Sequence, residues 1–145
     1  MKTKQVIEAY ATLKSAKLTQ MSSEDKFKVI KIMRVLRPIA TEWDEFIQTI
    51  DEKCKGENHD GIIKDVQQWQ TEGEKTSIPL TRRIEINNYL DKYNKERQRM
   101  IEEEQNKEVA VSFDKLSEKA FEKFIESNDF DIEKSAIIYD CIVNN

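Results

Sequence analysis

The sequence predicts a mainly α-helical protein: a long helical hairpin with shorter C-terminal helices and at most one short strand pair. Three observations carry that prediction. Gly (3) and Pro (2) are scarce in 145 residues, and long helices, unlike turns and bulges, have little use for either. Charged residues (36%) nearly equal hydrophobic ones (38%), which suits narrow apolar stripes beside wide solvated faces. Finally, Val29, Ile32, Leu36, Ile39, Trp43, Phe46 and Ile50 alternate spacings of three and four, forming an a/d seam held for three heptads.

The elements follow in order. Thr3 opens a first helix to about Ala16, with Val6, Ile7, Tyr10 and Leu13 on one face. Ser22 and Ser23 introduce a second helix that runs to about Lys55 and carries the seam as a coiled-coil-like stripe. Pro38 lies inside it. The seam passes through Pro38 in phase, so a bend is expected rather than a reversal. Residues 56–61 read as a loop around Gly56 and Gly61. A short amphipathic segment (Ile62, Ile63, Val66, Trp69) follows, then a polar stretch from Thr71 to Pro79.

Thr81 is expected to cap a second long helix reaching Asn106, its thinner seam being Ile86, Leu90, Tyr93, Arg97 and Met100. Val109, Val111 and Phe113 alternate with small residues as a strand would, and residues 77–80 are its expected partner. Ser117 or Asp114 then caps a helix bearing Leu116, Ala120, Phe121, Phe124 and Ile125. Asp131 caps a last helix, apolar nearly all round and so expected to be largely buried or bound to a partner. The length fits a single helical domain over 1–145, with 56–80 elaborating the hairpin tip and 108–145 forming a C-terminal helical subdomain.

Catalytic chemistry is sought without success. His59 is the sole histidine, and with Cys54 it cannot supply the four ligands of a structural zinc site. It reads as a solvent-exposed loop residue. No nucleophile elbow or phosphate-cradling glycine loop exists, and Glu102-Glu103-Glu104 reads as a solvated helix face. No catalytic residue, metal or cofactor is expected. Cys54 and Cys141 read as free thiols of a reducing compartment. No signal-peptide core or apolar span appears, so a cytoplasmic protein without membrane contact is expected.

One charge cluster stands out: Lys26, Lys28, Lys31, Arg34 and Arg37, with no acid between its ends. Residues 1–55 carry a net +3 and residues 108–145 a net −5. The simplest expectation is that this basic edge is solvated or pairs with the chain's own acidic segment. An acidic protein partner and nucleic acid are the alternatives, although the aromatic interleaving that single strands would want is not read on that face.

The order of elements resembles small helical proteins of tailed phages and prophages. The likeness is carried by Val6-Ile7-Glu8-Ala9-Tyr10 to Leu13, by Phe46 to Cys54 and by Glu108-Val109-Ala110-Val111. Residues 56–80 and the final helix depart from the pattern. The resemblance implies a phage-encoded assembly, virion-associated or accessory protein, found in host cytoplasm or virion, with no catalytic residues to carry over. The expected function is therefore non-enzymatic protein–protein interaction, through self-association or another protein. The alternatives are a nucleic-acid-binding regulator using Lys26–Arg37 and an inhibitor of a host defence enzyme.

Overall fold

Three of the helices begin where a serine or aspartate side chain caps them. Ser22 Oγ accepts from the Asp25 N–H at 3.1 Å, Ser117 Oγ from Ala120 at 3.1 Å, and Asp131 Oδ1 from Lys134 at 2.7 Å. Each satisfies a backbone donor that the first helical turn would otherwise leave open. The computed structural model describes residues 1–143. Its helices are α1 (Thr3–Ser15), α2 (Ser23–Cys54), α3 (His59–Glu72), α4 (Leu80–Asn106), α5 (Glu118–Glu126) and α6 (Ile132–Ile142), and a 3-10 turn, Gly73–Lys75, follows α3. The protein is mainly α, as its composition and periodicity predict. Among the described residues only isolated bridges interrupt that rule.

The chain forms two compact units, one of Met1–Phe46 with the residues from Glu104 onward, the other of Ile47–Glu103. In the first, Val6, Ala9 and Leu13 of α1, Val29, Ile32 and Leu36 of α2, and Leu116, Ala120, Phe124, Ile138 and Ile142 share one buried cluster. Each large side chain there gains about 1.5–3 kcal/mol from leaving water. The loop before α2 is fastened by Asn128, whose side chain accepts from the Lys17 N–H and donates to the Lys17 carbonyl, both at 2.8 Å. Ser127 Oγ accepts from the Gln20 N–H at 2.9 Å.

The strand-like alternation at 109–113 finds a different partner from the one expected. Val109, Val111 and Phe113 pack against the core, but the backbone pairs with the N-terminus, not with residues 77–80. Lys2 and Glu108 form an antiparallel bridge, with Thr3 N–H donating to Lys107 at 3.0 Å and Val109 N–H to Met1 at 2.9 Å. The ladder stops there because the chain turns into α1 at Thr3. A second bridge, parallel, joins Leu116 to Val143.

In the second unit Ile62, Ile78 and Ile86 are buried, with Val66, Trp69, Tyr89 and Leu90 around them. The polar stretch after α3 is organised by Glu72, whose carboxylate accepts from Gln68 (2.9 Å), Thr76 (3.1 Å) and Ser77 (3.2 Å). Those bonds, Gln68 foremost, hold its carboxyl below the usual range. They set up the approach to α4, which begins before the expected cap at Thr81. Its first turn is closed by the Arg83 N–H donating to the Pro79 carbonyl at 3.0 Å. Proline's fixed φ and missing donor suit that entry position.

Candidate interaction surfaces

The 100° step of a helix divides α2 into opposed faces. Val29, Ile32, Leu36 and Ile50 are buried, Ile39 is half-buried against the first core, and Trp43 and Phe46 touch each other with ring centroids 5.6 Å apart. The opposite face carries Phe27 (57% exposed), Ile30 (54% exposed), Lys31 and Arg34. Lys31 Nζ lies 4.8 Å from the centroid of the Phe27 ring. Aromatic and cationic groups are thus interleaved here, contrary to the expectation from the sequence. The seam drew attention to one side of α2, and Phe27 and Ile30 lie off it.

The five cations of the basic edge do not form one row. Lys31 and Arg34 are outward and exposed, Lys26 and Lys28 are half-buried on the two flanks, and the Arg37 Nε donates to the Tyr10 hydroxyl at 3.3 Å. Among the described residues none of the five makes an ion pair, whereas Arg82, Arg97 and Arg99 all do. Of the two simple expectations, solvation describes Lys31 and Arg34, and among the described residues no ion pair with the chain's own acidic segment forms. There Lys123 pairs with Glu126, and Glu118 accepts from the Tyr139 hydroxyl. Beside the ridge, Lys31, Arg34 and Val35 form a cleft with Ser112, Phe113 and Asp114.

A second apolar surface lies between α5 and α6. Phe121, Ile125, Phe130, Ile132, Ala136 and Tyr139 line an open groove of about 520 Å³, which Asp140 also borders. Phe121 and Tyr139 meet edge to face at 5.4 Å. The last helix is not buried all round: Ile138, Cys141 and Ile142 face the core, while Ile132 is 89% exposed. One side of α6 packs on α1, and Glu133 and Lys134 of its first turn line a cavity with Glu8, Ala11 and Thr12 of α1.

The second unit holds a polar cluster that sequence reasoning missed. His59 is half-buried in the first turn of α3, not in a solvent loop. Its Nδ1 makes a short hydrogen bond with the Tyr89 hydroxyl, which also accepts from the Gly56 N–H at 3.1 Å. Nearby, Asp51 accepts from Arg97 at 2.8 Å and from Tyr93 at 3.1 Å. The Arg97 bond, with help from Tyr93, holds the Asp51 carboxyl below its usual value, while burial and Asp51 push the Tyr93 hydroxyl up. Cys54 Sγ sits 3.6 Å from Met100 Sδ, and burial, with Glu96 and Asp51, pushes its thiol up. That is the opposite of the activation a nucleophilic cysteine needs.

Among the described residues no three His, Cys, Asp or Glu side chains converge on a point where a metal could sit. No helix among them is long and apolar enough to cross a membrane. Compared with family models, with curated proteins and with solved structures, the chain gives no match.

Proposed function

We propose that this chain is a non-enzymatic protein of phage or mobile-element origin that acts by binding another protein, with the outward face of α2 as its contact. The supporting observation is the ridge itself, where Phe27 and Ile30 stand more than half exposed beside cations that, among the described residues, form no ion pair. Burying each against a partner would recover up to about 1.5–3 kcal/mol of apolar transfer energy. Unpaired cations beside them favour an acidic counterpart and faster encounter with it. The seam on the other face, Val29, Ile32 and Leu36, anchors this stretch of α2 in the first core, so the ridge stands on a packed support. The origin, with an assembly, virion-associated or accessory role, rests on the sequence resemblance to tailed-phage proteins alone.

The test is a photo-crosslinking residue in place of Ile30, irradiated in the source cell, together with light scattering of the purified protein over a concentration series. The expected result is a covalent protein adduct or a mass that rises with concentration. A strict monomer with no protein adduct overturns the reading.

The unpaired Lys31 and Arg34 favour one second reading, a nucleic-acid-binding regulator. It predicts a mobility shift at about 50 mM salt that weakens steeply as salt is raised and disappears in Lys28→Glu/Lys31→Glu/Arg34→Glu. Absence of any shift at low salt ends it.

A further inference from the structure

We infer that the partner of the α2 ridge is a second copy of this chain, met head to tail: the Phe27–Ile30–Lys31–Arg34 ridge of one copy seats in the α5/α6 groove of the next. The inference rests on the proposed function and names its partner.

Three observations converge on it. The ridge is convex and apolar at its centre, and the groove is concave and lined by Phe121, Ile125, Phe130, Ile132 and Tyr139. The two surfaces therefore offer complementary shapes of like polarity, which is the arrangement of an interface core. Their rims carry opposite charge. Lys31 and Arg34 flank the ridge without ion pairs, and Asp140 borders the groove. Glu122 and Asp129 lie exposed on α5 and the turn after it, and among the described residues none of these three acids is ion-paired; Glu133 instead lines a separate cavity with Glu8, Ala11 and Thr12 of α1. Lys134 stands at one end of the groove, its Nζ 5.6 Å from the Phe130 ring centroid, so the acidic rim is open to a cation elsewhere. Asp114 lines the cleft beside Lys31 and Arg34, yet among the described residues neither cation forms an ion pair, so both are available to the carboxylate that borders the groove of a second copy.

The geometry of such a contact has a consequence. Ridge and groove share no residue, so one contact leaves a groove free on one copy and a ridge free on the other. Those two either meet each other in a two-fold dimer or recruit further copies into a chain or closed ring.

The experiment uses the full chain and four exposed positions. The ridge variant is Phe27→Ser/Ile30→Ser, and the groove variant is Ile132→Ser/Ala136→Arg. Circular dichroism and thermal melting check that both fold as the wild type does. In sedimentation velocity the wild type is expected to grow in mass with concentration, and each variant to associate at least about tenfold more weakly. An equimolar mixture of the two variants keeps one intact ridge and one intact groove, so it forms a one-to-one dimer and grows no further.

A mixture that stays monomeric overturns the inference. So does a groove variant that associates as the wild type does, since the ridge would then meet something other than the groove. A monomeric wild type whose position 30 crosslinks to a different protein overturns this inference and leaves the proposed function standing. A monomeric wild type with no adduct overturns both.

Discussion

The two cysteines show how environment sorts residues of the same type. Cys141 is buried, and burial, reinforced by Asp140, pushes its thiol up to about 11. Cys54 is only half-buried. A thiol reagent at mild alkaline pH is expected to modify Cys54 first and Cys141 only on unfolding, which a timed titration with mass spectrometry will read. Because the folded Cys141 value lies above the unfolded one of about 8.5, its contribution to stability is complete below about pH 8.5 and is lost as pH rises through about 11. Urea midpoints measured at several alkaline pH values should fall less steeply in Cys141→Ala than in the wild type. Asp51 has the opposite sign. Its folded value is lowered by Arg97 and Tyr93, so its contribution is present above the unfolded value near 3.9 and is lost as pH falls through the folded one. The pair is largely exposed, and solvent screening limits it to under about 1 kcal/mol. Asp51→Asn should thus cost a small amount at neutral pH and nothing once both states are protonated. An equal cost at both pH values would show that packing, not charge, is lost.

The helices differ in how much of them is written locally. Removing the caps by Ser117→Ala or Asp131→Ala is expected to cost about 1 kcal/mol each in urea unfolding, the usual worth of one satisfied N-terminal donor. Phe124→Ala, at a fully buried position in the same region, should cost about 3–5 kcal/mol because a cavity is added to the lost transfer energy. Periodicity was legible in the sequence, as were the caps at Ser22, Ser117 and Asp131; those expected at Thr3 and Thr81 were not, because both residues lie inside helices that begin with Lys2 as cap or at Leu80. α2 runs as one helix through Pro38, as the in-phase seam implied. The strand-like residues 109–113 were read correctly for side-chain burial but not for backbone pairing. Alternation reports which side chains turn inward, and it carries no information about which distant backbone lies alongside. His59 was missed for the same reason, since Tyr89 and Gly56 reach it only through the fold.

Across the molecule, the two units differ in the size of their cores. Among the described residues, fourteen buried side chains make up the cluster of the first unit and three that of the second. Opening costs scale with buried apolar contact, so amides of Ile47–Glu103 are expected to exchange with deuterium faster than those of α1, α5 and α6. Within the second unit, the residues between α3 and α4 should exchange first. Equal protection in both units, measured by hydrogen-exchange mass spectrometry, would contradict this.

What the sequence by itself determined is the class of the protein and the inward face of each long helix, because helix periodicity and capping are local and few glycines or prolines interrupt them. It also determined that five cations lie together between Lys26 and Arg37. Only the tertiary structure decided what those cations meet. Phe27 and Ile30 became an outward ridge because Val29, Ile32 and Leu36 took the core side of the same helix. Ile132 became part of an open groove because α1 covers only one side of α6. Exposure is a property of the neighbours a residue acquires, and those neighbours can lie more than a hundred positions away along the chain (Lys17 and Asn128 differ by 111). An exposed apolar ridge and an open apolar groove are therefore invisible to periodicity and appear only once the packed chain shows which surfaces its own core leaves uncovered.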